Sequence, residues 1–224
     1  MPNTNTRANQ LVPPEREREP ASGLLLYRLF KWGIINPIYY SYFRGRVHGV
    51  NNVPRKGRVL VVSNHASDLD PLLVACSVNR PVAFMAKEEL FKIPGLGQFI
   101  TLYGAYPVKR GKGDRAALKA AMNAVHQGWA TGLFLDGTRT ADGRIHDPKI
   151  GAAWLAAQTQ ATLLPVSLWG ADAIFRKGKL PKSTPLTIRI GTPIAPPTST
   201  DRANLEALTA TCAAQINAML DLGR

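Results

Sequence analysis

Short apolar runs rich in Val, Leu and Ile recur along this chain, separated by longer segments whose apolar positions fall at helical spacing. The runs predict strands over residues 59–62, 82–85, 104–108, 131–135, 163–168 and 186–190, with a further short one over residues 47–53. The helically spaced segments predict helices over residues 71–77, 87–93, 114–126, 150–158 and 201–220. A Pro/Gly-punctuated loop is expected to follow the second of these, from Pro94 to Gly97. Strands alternating with helices predict an α/β fold, a sandwich of helices around a largely parallel central sheet. The run Val59-Leu60-Val61-Val62 has the near-continuous apolar character of a strand covered on both faces.

That run ends abruptly in Ser63-Asn64-His65-Ala66-Ser67-Asp68-Leu69-Asp70-Pro71. Pro71 suits the first turn of a helix, where no N–H is needed, and Asp70 is a good N-cap. His65 therefore falls on a tight strand-to-helix loop at a strand's carboxyl end, where open α/β sheets place their chemistry. Four residues separate His65 from Asp70, so the carboxylate can fold back onto the imidazole. A neutral imidazole can take a proton from an alcohol, and a carboxylate on its other nitrogen sets the tautomer and stabilises the imidazolium. On this stretch alone, a helix cap beside a loop histidine explains the residues equally well.

A second apolar segment has a different character. Residues 24–46 hold seven of the chain's 17 aromatic residues, and from Pro20 to Ser67 there are seven Lys/Arg and no Asp or Glu. Arg28 and Lys31 interrupt the first half and Asn36-Pro37 the middle, so no run of about 18 apolar residues exists to span a bilayer. The pattern predicts two short helices joined near residues 33–37, lying in a membrane interface with aromatics at headgroup depth and Lys/Arg toward phosphates. The alternative is an N-terminal helical hairpin packed on the core. Residues 1–22 are polar and mixed in charge; they have the composition of a disordered tail and no apolar centre of a signal peptide. The expected organisation is thus a tail over 1–22, interfacial helices over 23–46 and one catalytic domain over 47–224.

The 224 residues carry 28 Lys/Arg against 15 Asp/Glu, a net charge of +13, which implies an anionic partner: nucleic acid, an anionic membrane or a phosphorylated substrate. No nucleic-acid-binding motif appears, and the aromatics are gathered in an apolar segment, which disfavours nucleic acid. Cys76 and Cys212 form no CxxC pair, and the four histidines lack metal-ligand spacing, so neither a metal nor a disulfide framework is expected. No Gly-x-Ser-x-Gly elbow occurs, which argues against a serine hydrolase of the α/β type.

Four blocks in order carry a resemblance: Asn64-His65-x4-Asp70; Gly104-x2-Pro107-Val108-x-Arg110; Phe134-Leu135-Asp136-Gly137-Thr138-Arg139; and Leu164-Pro165-Val166. Together they resemble the glycerolipid acyltransferases, and within them the 1-acylglycerol-3-phosphate (lysophosphatidate) acyltransferases, over roughly residues 24–193. The resemblance implies transfer of a fatty acyl group from acyl-CoA or acyl carrier protein, a substrate rather than a cofactor, to the sn-2 hydroxyl of lysophosphatidate. It implies His65 as general base and Asp70 as its orienting carboxylate. It also implies that Arg110, Asp136, Gly137, Thr138 and Arg139 bind the phosphorylated acceptor, and that the enzyme works on the cytoplasmic face of a membrane. Another lysophospholipid or glycerol-3-phosphate is the alternative acceptor. The third block usually reads Phe-Pro-Glu-Gly-Thr-Arg; Leu135 and Asp136 depart from it, and the Asp carboxylate reaches about 1.5 Å less far. The chemistry agrees. A thiol leaving group has a pKa near 8.5, so the hydroxyl is the partner that needs help, and a base poised near neutrality supplies it.

Overall fold

The structure is a computed structural model and describes residues 21–108, 114–175 and 180–224. Its centre is a sheet of seven strands: β1 (Arg46–His48), β2 (Val59–Ser63), β3 (Val82–Lys87), β4 (Tyr106–Val108), β5 (Ala130–Phe134), β6 (Thr162–Trp169) and β7 (Thr187–Ile190). Their order across the sheet is β1-β7-β6-β2-β5-β3-β4. Neighbours are parallel except β6 and β7, so five strands run one way and the β7–β1 pair runs the other. This is the largely parallel α/β architecture that the alternation of elements predicts.

Side-chain alternation along β2 divides the core in two. Val59 and Val61 join one apolar cluster with Leu73, Val74 and Val78, at and just beyond helix α2 (Asp70–Ser77). Leu60 and Val62 join the other, with Val125 of α5 (Asp114–His126), Leu155 and Ala156 of α6 (Gly151–Thr159) and Ile216 of α7 (Arg202–Asp221). The chain leaving β2 thus crosses one face through α2 to reach β3. The chain leaving neighbouring β5 crosses the other face through α6 to reach β6. Adjacent parallel strands whose connections part to opposite faces leave a crevice beyond their carboxyl ends. The loops that open it are residues 64–69 and 135–150.

Several local expectations are revised. Residues 21–42 do not fold as a hairpin; they are helical without interruption. Helix α1 (Ala21–Phe30) continues through two stretches of wider π-helical turns, Lys31–Ile35 and Ile38–Tyr42. The Asn36 N–H bonds the Lys31 carbonyl, five residues back, and Pro37 keeps right-handed helical angles. Widened turns relieve the clash that a proline ring makes with an ordinary helical ladder, so Asn36-Pro37 bends the pattern of bonds without ending the helix. The strand expected over 47–53 shortens to β1, followed by a single 3-10 turn over Val50–Asn52. The expected Pro94–Gly97 loop is only a joint between α3 (Glu88–Phe91) and a further helix, α4 (Leu96–Leu102).

The long helical segment also corrects the reading of its charges. Lys31 does not face phosphates. It is buried, and its Nζ donates to the Val78 carbonyl at 2.7 Å, at the C-terminal end of α2. Burial draws its pKa down to about 8. On the same face, Tyr27 stacks on Tyr103 and Phe30 meets Phe99, so α4 lies against α1. Leu25, Leu29, Trp32, Ile34, Ile38, Tyr40 and Tyr42 are exposed. One side of the segment therefore packs on the body and another offers apolar and aromatic groups outward. Among the described residues, no helix is long and apolar enough to cross a membrane. Of the expected tail, residues 1–20 lie outside the described residues.

Candidate active site

The crevice between β2 and β5 is built first by its backbone. Asn64, fully buried, closes the end of β2: its Nδ2 donates to the carbonyls of Gly143 (2.7 Å) and Leu168 (3.1 Å), and its Oδ1 accepts from the Leu168 N–H (2.8 Å). One side chain thus ties the loop after β2 to the end of β6 and to the long loop after β5. The Leu135 N–H bonds the Ser63 carbonyl at 3.0 Å, and the Thr140 N–H bonds the His65 carbonyl at 2.9 Å. The two loops are laced together on both sides of His65.

Within this frame the Asp70 carboxylate is fully buried, and its Oδ2 accepts three bonds. They come from His65 Nδ1 (2.7 Å), the Ala66 N–H (2.7 Å) and the Ser67 N–H (2.8 Å). Asp70 is the first residue of α2 rather than its N-cap, a position taken by Leu69 with no side-chain bond. A short carboxylate in the first turn is favoured by the helix dipole, but this one spends its acceptor on the preceding loop instead of on α2's own amides. Because a carboxylate only accepts, the His65 nitrogen facing it carries the proton. In the neutral ring Nε2 is then the free acceptor. The His65 side chain keeps 17% exposure, so that nitrogen can meet a solute, while its partner is sealed.

A third contact aims the ring. Phe134, the last residue of β5, stacks on the imidazole with centroids 3.8 Å apart and planes 7° from parallel. Phe84 of β3 backs Phe134 at 5.4 Å. Gly132 makes this stack feasible, because a Cβ there would stand 2.2 Å from the Phe84 ring. The imidazole is held in plane by aromatic faces and in rotation by Asp70. Sequence reasoning assigned no role to Phe134, Asn64 or Thr140. Two of them lie inside quoted blocks, and the aromatic residue that opens the third block, two positions before Asp136, is the signal that could have marked Phe134.

The turn after β5 divides the remaining candidates. Asp136 is buried, and its Oδ1 accepts from the N–H groups of His146 (3.3 Å) and Asp147 (2.9 Å). It braces the long loop from within; its Oδ2 has no hydrogen-bond partner among the described residues. Gly137, Thr138 and Arg139 are all exposed. Gly137 has φ +67°, a conformation that L side chains rarely adopt, and a Cβ there would meet nothing within 4 Å. Arg139 reaches across to the first loop, where its guanidinium pairs with Asp68 at 2.5 Å. The structure therefore brings His65 and Asp70 on one loop together with Gly137, Thr138 and Arg139 on the other, the two loops being bonded to each other at the ends of β2 and β5. Arg110 lies outside the described residues; the strand that leads to it, β4, is at the sheet's edge, two strands beyond β5.

Neither cysteine competes as a nucleophile. Cys76 and Cys212 are buried free thiols, each pushed up to about 12 by burial. Among the described residues, no group of three or more His, Cys, Asp or Glu could hold a metal ion.

Residues 44–169 match the sequence profile of the family described as Acyltransferase. Similar proteins include the chloroplastic 1-acyl-sn-glycerol-3-phosphate acyltransferase BAT2 of Brassica napus, 32% identical over 142 residues, covering 62% of this chain and 41% of that protein. The 1-acyl-sn-glycerol-3-phosphate acyltransferase of Borreliella burgdorferi is 31% identical over 134 residues, covering 58% of this chain and 53% of its own. The chain thus spans about half the length of these relatives, or less. Among solved structures, the 1-acyl-sn-glycerophosphate acyltransferase PlsC of Thermotoga maritima superposes with a TM-score of 0.66 at 25% identity, over 88% of each chain.

Proposed function

Since this chain belongs to the acyltransferase family, we propose that it moves a fatty acyl group from an acyl thioester to the sn-2 hydroxyl of 1-acyl-sn-glycerol-3-phosphate, giving phosphatidate. The observation that carries this reading is the buried Asp70 carboxylate on His65 Nδ1, which leaves Nε2 free at the carboxyl end of the central strands. The relatives' names supply the acceptor, and the exposed Thr138 and Arg139 beside His65 supply groups suited to a phosphate.

Nε2 of His65 takes the hydroxyl proton as the alcohol oxygen attacks the thioester carbonyl. When the tetrahedral intermediate collapses, the C–S bond breaks and the thiolate takes the proton from the imidazolium. The products are an ester and a free thiol, and His65 returns to its neutral form. Asp70 holds the tautomer throughout, and the Phe134 face keeps the ring from swinging away. Transfer is direct, since the buried thiols offer no acyl-enzyme route. Asp136, turned inward, shapes the turn, and Arg139, with Arg110, binds the acceptor's phosphomonoester. Acyl-CoA or acyl carrier protein is the donor, and no cofactor takes part.

The apolar side of residues 23–46 rests in one leaflet on the cytoplasmic face. There Leu25, Leu29 and Trp32, exposed in the free protein, are buried in the interface. The deciding experiment is an acyl-transfer assay that crosses acyl-CoA and acyl carrier protein with lysophosphatidate, glycerol-3-phosphate and a lysophospholipid. Lysophosphatidate is expected to be the preferred acceptor, and His65→Ala to abolish transfer in a protein that still folds. A His65→Ala variant retaining more than a small fraction of turnover removes the base assignment; preference for another acceptor removes the substrate assignment.

A further inference from the structure

Asp68 stands between His65 and Asp70 in the same short loop, yet it shares neither's task. Asp70 is sealed against His65 and two amides. Asp68 points outward, its side chain 74% exposed, and pairs with Arg139, itself 52% exposed, across the mouth of the crevice. In a chain with 28 basic and 15 acidic residues, an exposed carboxylate beside the dyad lowers the positive charge where an anionic acceptor must dock.

We propose that Asp68 is a placeholder for the acceptor's phosphate: in the free protein its carboxylate occupies the Arg139 guanidinium, and the phosphomonoester displaces it on binding. This rests on the assignment of Arg139 to the acceptor phosphate. Three features of the geometry support the exchange. The two loops that carry the partners are joined by backbone bonds, the Thr140 N–H to the His65 carbonyl and the Leu135 N–H to the Ser63 carbonyl. The guanidinium therefore crosses a gap of set width, and whatever anion fills that gap is brought close to His65. Second, the pair is solvated on both sides, so it is held loosely and sensitive to salt. Third, a phosphomonoester carries nearly two charges near neutral pH and three acceptor oxygens, against one charge and two oxygens on the carboxylate. The exchange therefore favours the substrate.

The placeholder has two consequences. It keeps Arg139 extended across the opening when no acceptor is present. It also sets a threshold that any phosphate ligand must overcome, lowering the affinity of monoester and diester alike, while the preference for the monoester comes from its greater charge on Arg139.

The test measures KM for lysophosphatidate and for acyl-CoA in wild-type protein, Asp68→Asn, Asp68→Ser, Arg139→Ala and the Asp68→Asn/Arg139→Ala double variant. It also measures inhibition by inorganic phosphate. Removing the competitor should lower the acceptor's KM about two- to fivefold, the range that an exposed ion pair covers. The donor's KM should not move, inorganic phosphate should become a stronger competitor against the acceptor, and the gain should shrink in high salt. In the Arg139→Ala background, Asp68→Asn should have no further effect. Should both Asp68 variants leave the acceptor KM unchanged or raise it while Arg139→Ala raises it, the placeholder is overturned and the acceptor assignment stands. If Arg139→Ala leaves the acceptor KM unchanged, the acceptor assignment itself falls, and the placeholder with it.

Discussion

At the scale of single residues, the site depends on one oxygen. Asp70 Oδ2 collects the imidazole proton and two backbone N–H groups, so replacing the carboxylate by an amide has a selective effect. In Asp70→Asn the amide oxygen can still accept from Ala66 and Ser67, which preserves the loop. It still accepts from the ring as well, but the side chain has lost the negative charge that holds the imidazolium, and its NH2 group takes the place of Oδ1, which has no partner among the described residues. The expected result is a protein with near-normal thermal stability whose kcat/KM falls by several orders of magnitude, roughly 10⁴-fold as for other removals of an orienting carboxylate. Steady-state kinetics beside a melting curve separate this from unfolding. A loss of stability matching the loss of rate would mean that Asp70 is a structural buttress. The Phe134 stack belongs to the same scale. It leaves His65 one ring plane, so the carboxylate has only rotation within that plane to set.

Among the elements, the joint between the N-terminal helical segment and α2 is the sensitive one. Lys31 enters the body to bond the Val78 carbonyl, and burial brings its pKa down to about 8 from an ordinary 10.5. Below pH 8 both folded and unfolded chains hold the proton, and the full cost of burying the charge is present. Between about pH 8 and 10.5 the unfolded chain keeps a proton that the folded chain has released, so this group makes stability rise with pH across that window. The full swing is at most about 3 kcal/mol, given 1.36 kcal/mol per unit. Lys31→Met keeps the apolar stem and removes the titration. The stability of wild type relative to Lys31→Met should therefore increase from pH 8 to pH 10, as read by urea denaturation at several pH values. A flat difference would show that the ammonium is not desolvated in solution. Because α2 begins at Asp70 and ends against Lys31, this joint connects the outer helix to the element that carries the dyad's carboxylate.

For the whole molecule, charge and exposed apolar groups point the same way. A chain of net charge +13 with Leu25, Leu29 and Trp32 exposed along one helix has both attractions that hold a protein at an anionic lipid surface. Each large apolar side chain buried contributes about 1.5–3 kcal/mol. Leu29→Ser/Trp32→Ser should therefore weaken binding to anionic liposomes by roughly tenfold or more at unchanged melting temperature, since neither residue is part of the core. Co-sedimentation across a lipid titration measures this, with weaker binding in high salt for both proteins. Equal partitioning of wild type and variant would remove this face from the interface.

Some of this protein was determined by local sequence. The β-branched run of residues 59–62 had few alternatives to a buried strand, and a five-residue step from His65 to Asp70 around a tight turn returns the carboxylate to the ring because so short a loop has few other ways to close. The order of the four blocks likewise carried the family. Other features depend on residues far apart in the chain, and only tertiary packing decided them. Arg139 meets Asp68 across 71 positions, because β2 and β5 are neighbours in the sheet. Phe134 covers His65 for the same reason. Lys31, basic in a basic segment, reads as a surface residue until α2 brings the Val78 carbonyl to it. Asp136 reads as a substrate ligand until the loop after β5 folds its own amides onto the carboxylate. Composition and spacing report what a residue can bond to; which partner it takes is settled by the strand order, through contacts whose separation in the chain no local pattern encodes.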